Sequence, residues 1–153
     1  IDVRFDVLKD LIGKVRGLRV ECGLDPASKI NLAVMITKGS AAEVCREKAA
    51  VIELLAGVAH IDFTEAKPLR AIGAVGEGFE AFLLVDEAIN KEQLMARFKK
   101  SIEAESAAAK KSEAKLSGKF AQNAPEDVVL AERKKLEECK RRIEKLQSYM
   151  ESL

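Results

Sequence analysis

The chain has 153 residues, with 26 Lys and Arg against 25 Asp and Glu for a net charge of +1, one His, three Cys and no Trp. That length excludes a large multidomain enzyme, and the balanced charge excludes a chain that is basic throughout. Apolar residues at 48% suffice to bury a core, charged ones make up 33%, and aromatics at only 5% make that core aliphatic. No run approaches the roughly 18 unbroken apolar residues of a membrane helix, and no secretory signal opens the chain. The first residue is Ile rather than Met, as expected of a piece of something longer. Cys22, Cys45 and Cys139 are odd in number and far apart, without the paired spacing of a disulfide framework or zinc site. They read as reduced thiols of a cytoplasmic protein.

Charge divides the chain near Ile89. Residues 1–88 hold 11 basic and 14 acidic residues, whereas residues 89–153 hold 15 and 11, and only Gly118 and Pro125 interrupt the second part. The first part therefore reads as a small α/β layer domain, 1–88, and the second, 89–153, as a helical arm.

From the start of the chain, Phe5, Leu8, Ile12, Val15, Leu18 and Cys22 recur at three- and four-residue steps and give one apolar helical face. Gly23 stops that helix and Asp25-Pro26 forces a turn. Ile30, Leu32, Val34 and Ile36 alternate as in a half-buried strand. Ser40, with Glu43 three residues on, is placed as the capping box of a second helix. That helix is expected to carry Val44, Val51, Ile52 and Leu55 inward and to end at Gly57. Ile61 and Phe63 mark a short strand, and a hairpin follows over about 69–75 and 79–85, turning at Gly76-Glu77-Gly78.

The arm reads as two long helices with a heptad repeat. In the last helix Val129, Leu136, Ile143 and Met150 stand at a, with Cys139, Leu146 and Leu153 at d; in the earlier one Met95, Ile102, Ala109 and Leu116 stand at a and Phe98 at d. Ser117-Gly118 ends the first helix. Asn123, with Glu126 three residues on, is placed to box the start of the second, whose first turn tolerates Pro125. A connection of about six residues makes the pair antiparallel. Setting Leu116 against Val129 puts Ala109 on Leu136, Ile102 on Ile143 and Met95 on Met150. Two layers, Ser112 with Glu132 and Glu105 with Cys139, then read as poor. The expected fold class is α+β: a small α/β layer domain followed by a long antiparallel two-helix coiled-coil hairpin, projecting roughly 40 Å.

Sites for chemistry are scarce. His60 lies beside a strand without a Ser, Cys or acid spaced for a triad, and reads as structural. The run Gly73–Gly78 has the wrong order of glycines for a phosphate loop and leads into a strand, so it reads as a hairpin turn. No catalytic or metal-binding residue is expected. The cations are more informative. Arg133, Lys134, Lys135, Lys140, Arg141 and Arg142 occupy positions e, f and g of the last helix, while Glu137, Glu138, Glu144 and Glu151 occupy b and c. Such a stripe either decorates a coiled coil or follows a phosphate backbone. Near the turn, Lys110, Lys111, Lys115 and Lys119 surround Phe120. That ring either caps the hairpin against Leu116 and Val128 or offers a stacking platform for an unpaired base.

The segments Lys115-Leu116-Ser117-Gly118-Lys119-Phe120, Asn123-Ala124-Pro125-Glu126-Asp127-Val128-Val129 and Glu132-Arg133-Lys134-Lys135-Leu136 resemble the C-terminal arm of the valyl-tRNA synthetase family. There the pattern runs KLSN, a Phe, NAP, two acids, VV and an EREKL-like run. This chain has Gly118 where the family often has Asn, and a shorter step to Phe120. Upstream, 11–21 with Leu24-Asp25-Pro26-Ala27-Ser28-Lys29-Ile30 resembles the family's segment after the anticodon-binding helices, and Gly76–Leu83 resembles its hairpin before the arm. The family's HIGH and KMSKS signatures are absent. The resemblance implies a non-catalytic C-terminal tRNA-binding appendage of a class I ligase that esterifies valine to tRNA, with the first helix continuing from the anticodon-binding region. It implies no cofactor in this part, ATP and valine binding elsewhere in a monomeric parent, and no membrane. Its partners would be the parent's other domains and tRNA, met at the elbow where the D and T loops join. Carried onto this sequence, the tRNA contacts would fall among Lys110, Lys111, Lys115, Lys119, Phe120, Arg133, Lys134, Lys140, Arg141 and Arg142. A coiled-coil module that docks a protein, with no nucleic-acid contact, is the competing expectation.

Overall fold

Helix α1 runs Val3–Glu21 in a computed structural model that describes residues 3–87 and 89–153, with only the backbone described for Val3, Arg4 and Ser40. Its inward face is Leu11, Ile12, Val15, Leu18 and Cys22. Phe5, expected inward, is 61% exposed, whereas Leu11 is fully buried. At 100° per residue Phe5 falls about 80° from the centre of the buried arc, and Leu11 lies within it. The helix stops as its glycine predicts: Gly23 has φ 64°, its N–H donates to the Val20 carbonyl, and the Leu24 N–H donates to the Arg19 carbonyl, both at 3.0 Å. These two bonds form a Schellman motif.

Four strands follow, β1 (Ile30–Ile36), β2 (Val58–Thr64), β3 (Ala71–Gly76) and β4 (Phe79–Leu84), in the order β2-β1-β4-β3. β1 and β2 are parallel; β4 runs antiparallel to β1 and to β3. The parallel pair needs a crossover, supplied by α2 (Gly39–Glu47) and α3 (Ala49–Ala56). Here the expectation of one helix fails, because the chain breaks at Lys48 (φ −104°, ψ 19°). The break turns Val51 and Leu55 outward and leaves Ala41, Val44, Cys45, Ile52 and Ala56 inside. The capping residue of α2 is Lys38 and not Ser40, which lies within the helix and whose side chain is outside the described residues. Gly57 ends α3 in the left-handed region, as expected.

β1 is buried on both faces. Leu32 and Val34 face the layer of α1 with their β4 partners Leu83 and Ala81, while Ala33 joins Ala71 and Phe82 on the other face, beside Met35 and Leu84. The half-buried reading of this strand missed Ala33 because its central place in the sheet is not visible in its own alternation. The β3–β4 hairpin turns where predicted. Gly78 has φ 87°, and its carbonyl accepts the Thr37 and Lys38 N–H groups, so the turn also anchors the end of β1.

The chain divides into two units, one ending at Leu94 and taking in Ser152 and Leu153, the other Met95–Glu151. The second consists of most of α4 (Lys91–Ser117), the short α5 (Lys119–Asn123) and α6 (Glu126–Ser152). Asn90, whose Oδ1 accepts the Gln93 N–H at 3.1 Å, caps α4. α5 occupies the connection expected to span about six residues, and Asn123 ends it instead of boxing α6. In the first turn of α6 the Val128 and Val129 N–H groups both donate to the Pro125 carbonyl at 3.1 Å.

α4 and α6 are antiparallel in the predicted register. Ser112 Oγ donates to Glu132 Oε1 at 2.8 Å, and Arg142 Nη1 donates to Glu105 Oε1 at 3.1 Å. The two layers expected to be poor are therefore bonded polar contacts. Burial, with the Glu105 hydrogen bond and charge, pushes the Cys139 thiol above the usual thiol range. At the open end the fully buried Phe98 packs on Tyr149, ring centroids 5.6 Å apart. Tyr149 is a core residue that the heptad count did not single out. Most other seam residues are half-buried, because two helices alone cannot enclose them. The fold class is α+β, and among the described residues no helix is long and apolar enough to cross a membrane.

Candidate functional site

The hairpin's polar face is fixed by its heptads: once a and d turn to the partner helix, e, f and g of α6 present the basic residues. All of Arg133, Lys134, Lys135, Lys140, Arg141 and Arg142 are exposed, as are Glu137, Glu138, Glu144 and Glu151. The cations nevertheless divide into two kinds. Lys140 Nζ lies 3.9 Å from Glu113, and Arg142 lies 3.1 Å from Glu105. These two reach across the seam to α4. Arg133, Lys134, Lys135 and Arg141 make no ion pair among the described residues. Arg133 and Lys134 precede Arg141 by about two helical turns, roughly 11 Å along the axis.

At the turn, Lys110, Lys111, Lys115 and Lys119 are exposed and Phe120 is half-buried. Lys115 Nζ stands 5.9 Å from the centroid of the Phe120 ring, within cation–π range. Phe120 belongs to α5, so its position follows from a helical turn that its sequence does not announce. The acids that engage part of the stripe, Glu105 and Glu113, were also missed as its partners. Glu113 and Lys140 share position e, and that pairing was available in the sequence once the antiparallel register was set.

Elsewhere, His60 Nε2 lies 2.8 Å from Asp62 Oδ1, an acid two residues away on the same face of β2, and both side chains are exposed. Gly73 and Gly76 are held by packing: an added Cβ would come within 2.9 Å of Phe82 at the first and 2.1 Å of Phe79 at the second. Among the described residues no group of three or more His, Cys, Asp or Glu could hold a metal ion. The motif arginines of α1 serve the fold. Arg16 Nε donates to the Leu55 carbonyl at 3.0 Å, and the buried Arg19 donates to the carbonyls of Gly57, Asp25, Pro26 and Ser28 at 2.6–3.3 Å.

No protein-family model matches the chain. It is similar to the valine–tRNA ligase of Treponema denticola, 41% identical across 99% of this chain and 17% of that relative. It is similar also to the valine–tRNA ligases of Treponema pallidum, 30% identical over 94% of the chain, and of Bradyrhizobium diazoefficiens, 33% identical over 94%. The chain spans 15–17% of the length of these curated relatives, so it matches a part of valyl-tRNA synthetase.

Proposed function

We propose that the chain is the non-catalytic C-terminal appendage of a valine–tRNA ligase, and that its basic hairpin holds tRNA for aminoacylation. The observation that carries the reading is the 41% identity to one such ligase over 99% of the chain. The α6 cations without an ion pair and the lysines around Phe120 support the nucleic-acid part of it. In this reading ATP and valine bind elsewhere in the parent, and the hairpin meets the tRNA outer corner. That corner presents dense phosphate and exposed stacked bases, a target for positive charge and an aromatic ring more than for sequence-reading groups.

The test is the triple variant Arg133→Gln, Lys134→Gln, Arg141→Gln in the full-length ligase. It removes charges that make no internal ion pair and leaves Lys140 and Arg142 to hold the seam. Gln is nearly as good a helix former, so α6 should persist. The Michaelis constant for tRNA should rise, kcat should hold, and the slope of affinity against salt should shrink by up to about 0.9 for each phosphate no longer neutralised. Normal charging with an unchanged salt slope would sink the reading and favour a hairpin that docks a protein.

A further inference from the structure

The hairpin carries its charge unequally on the two sides of its seam. Around a helix at 100° per residue, positions e and b adjoin a on one side, g and c adjoin d on the other, and f lies at the back. In an antiparallel pair e meets e and g meets g. The contacts agree with this: Glu113 and Lys140, 3.9 Å apart, both stand at e, and Lys145 at c lies 5.8 Å from the ring of Tyr149 at g.

On the e and b side of Met95–Glu151, Lys99, Lys110, Arg133 and Lys140 are outnumbered by Glu103 and Glu113 of α4 and Glu126, Glu137, Glu144 and Glu151 of α6. The g and c side carries Arg97, Lys111 and Lys115 of α4 and Lys135, Arg142 and Lys145 of α6, all exposed, against the single acid Glu138. Even with Glu105, the seam acid that Arg142 holds at 3.1 Å, this side stays strongly positive while the other is negative.

Solubility does not require the difference, because interspersed charges serve it as well. The arrangement also works against the helices themselves. Lys111 and Lys115 are four residues apart and Arg142 and Lys145 three, spacings at which like charges repel. Between the cations stand the small residues Ser101, Ala104, Ala108 and Ala131, which let a docked backbone come close to the helices. Lys115, 5.9 Å from the Phe120 ring, ends the row at the turn, and Arg97 lies roughly 27 Å away along α4.

We infer that tRNA lies against the g and c side of the hairpin, its phosphates following these six cations between Lys115 and Arg97, and that the e and b side faces away. The inference rests on the reading of the hairpin as a tRNA-binding arm and adds the side of contact, with Arg97, Lys135 and Lys145 among the contacts. Arg133, Lys134 and Arg141 stand at e and f, so the triple variant above tests contact with tRNA and not its side. A row of one sign attracts phosphate, whereas cations interleaved with glutamates within a Debye length of about 10 Å cancel.

The experiment measures equilibrium binding of tRNA to the full-length ligase between about 0.05 and 0.2 M salt. Two triple variants remove equal charge, Lys111→Gln, Lys135→Gln and Lys145→Gln from one side, Lys99→Gln, Lys110→Gln and Arg133→Gln from the other. The first should raise Kd at least about tenfold and shrink the salt slope by up to about 0.9 per phosphate released; the second should change Kd by less than about threefold. A second pair cannot be imitated by a folding defect. Glu138→Gln should tighten binding about twofold or more, and Glu137→Gln, next to it but at b, should not. Equal weakening by the two triples, or more by the second, overturns the inference and leaves tRNA as the hairpin's partner. Weakening by the first triple without a gain from Glu138→Gln marks the loss as structural and overturns it too. No weakening by either triple also overturns it, and an inert Arg133, Lys134 and Arg141 variant would then remove the tRNA reading as well.

Discussion

Arg19 carries more of the first unit than any other polar side chain described. It stands in the last turn of α1, and its guanidinium gathers carbonyls from the loop after α1 and from Gly57 just past α3. A cation placed at two helix C-terminal ends meets the negative end of each dipole, so burial here needs no carboxylate. Five fixed N–H donors suit that set of acceptors, and lysine's ammonium does not. Arg19→Met should therefore lower the unfolding free energy by about 2–3 kcal/mol in urea denaturation, since partly buried carbonyls lose charged partners. Arg19→Lys should recover only part of it. A loss within about 0.5 kcal/mol for the methionine variant, the range of ordinary surface changes, would mean that water replaces the guanidinium at little cost.

Among the elements, the seam between α4 and α6 shows how a polar layer is tolerated. Ser112 and Glu132 are both at least nine-tenths buried and bonded to each other. Replacing one of them strands the other, whereas replacing both removes a desolvated pair and fills the space with apolar atoms. Glu132→Leu alone should give little or no gain. Ser112→Ala with Glu132→Leu should stabilise the chain by about 1 kcal/mol for a side chain at a partly open seam. Urea denaturation of the wild type, both single variants and the double variant forms a cycle. Additive single effects would show that the bond contributes nothing.

Across the molecule, charge serves two ends on one helix. Lys140 and Arg142 of α6 face acids on α4, while Arg133, Lys134 and Arg141 have no ion partner among the described residues. In the 153-residue chain, Lys140→Gln with Arg142→Gln should lower stability by about 0.5–1 kcal/mol, the range of exposed ion pairs. The triple change at Arg133, Lys134 and Arg141 should leave stability within about 0.5 kcal/mol. Equal losses from both variants, measured as urea midpoints, would erase the distinction between structural and available cations.

Features that local periodicity specifies were legible in the amino-acid sequence. The positions of the strands, the α1 stop at Gly23, the turn at Gly78 and the register of α4 on α6 all follow from spacing and glycine chemistry, which act within a few residues or repeat along a helix. The free and engaged cations, the burial of Arg19 and Ala33, the bonded layers and the partnership of Tyr149 with Phe98 emerge only when the elements pack. Each depends on a second segment distant in sequence: Glu105 lies 37 residues from Arg142, and Gly57 lies 38 from Arg19. Residue type marks such side chains as charged or small, and only the element packed against them decides whether they are buried, paired or left for a partner. The outward turn of Val51 and Leu55 has the same origin, because the break at Lys48 joins two helices whose directions are set by the sheet they cross and not by their own apolar spacing.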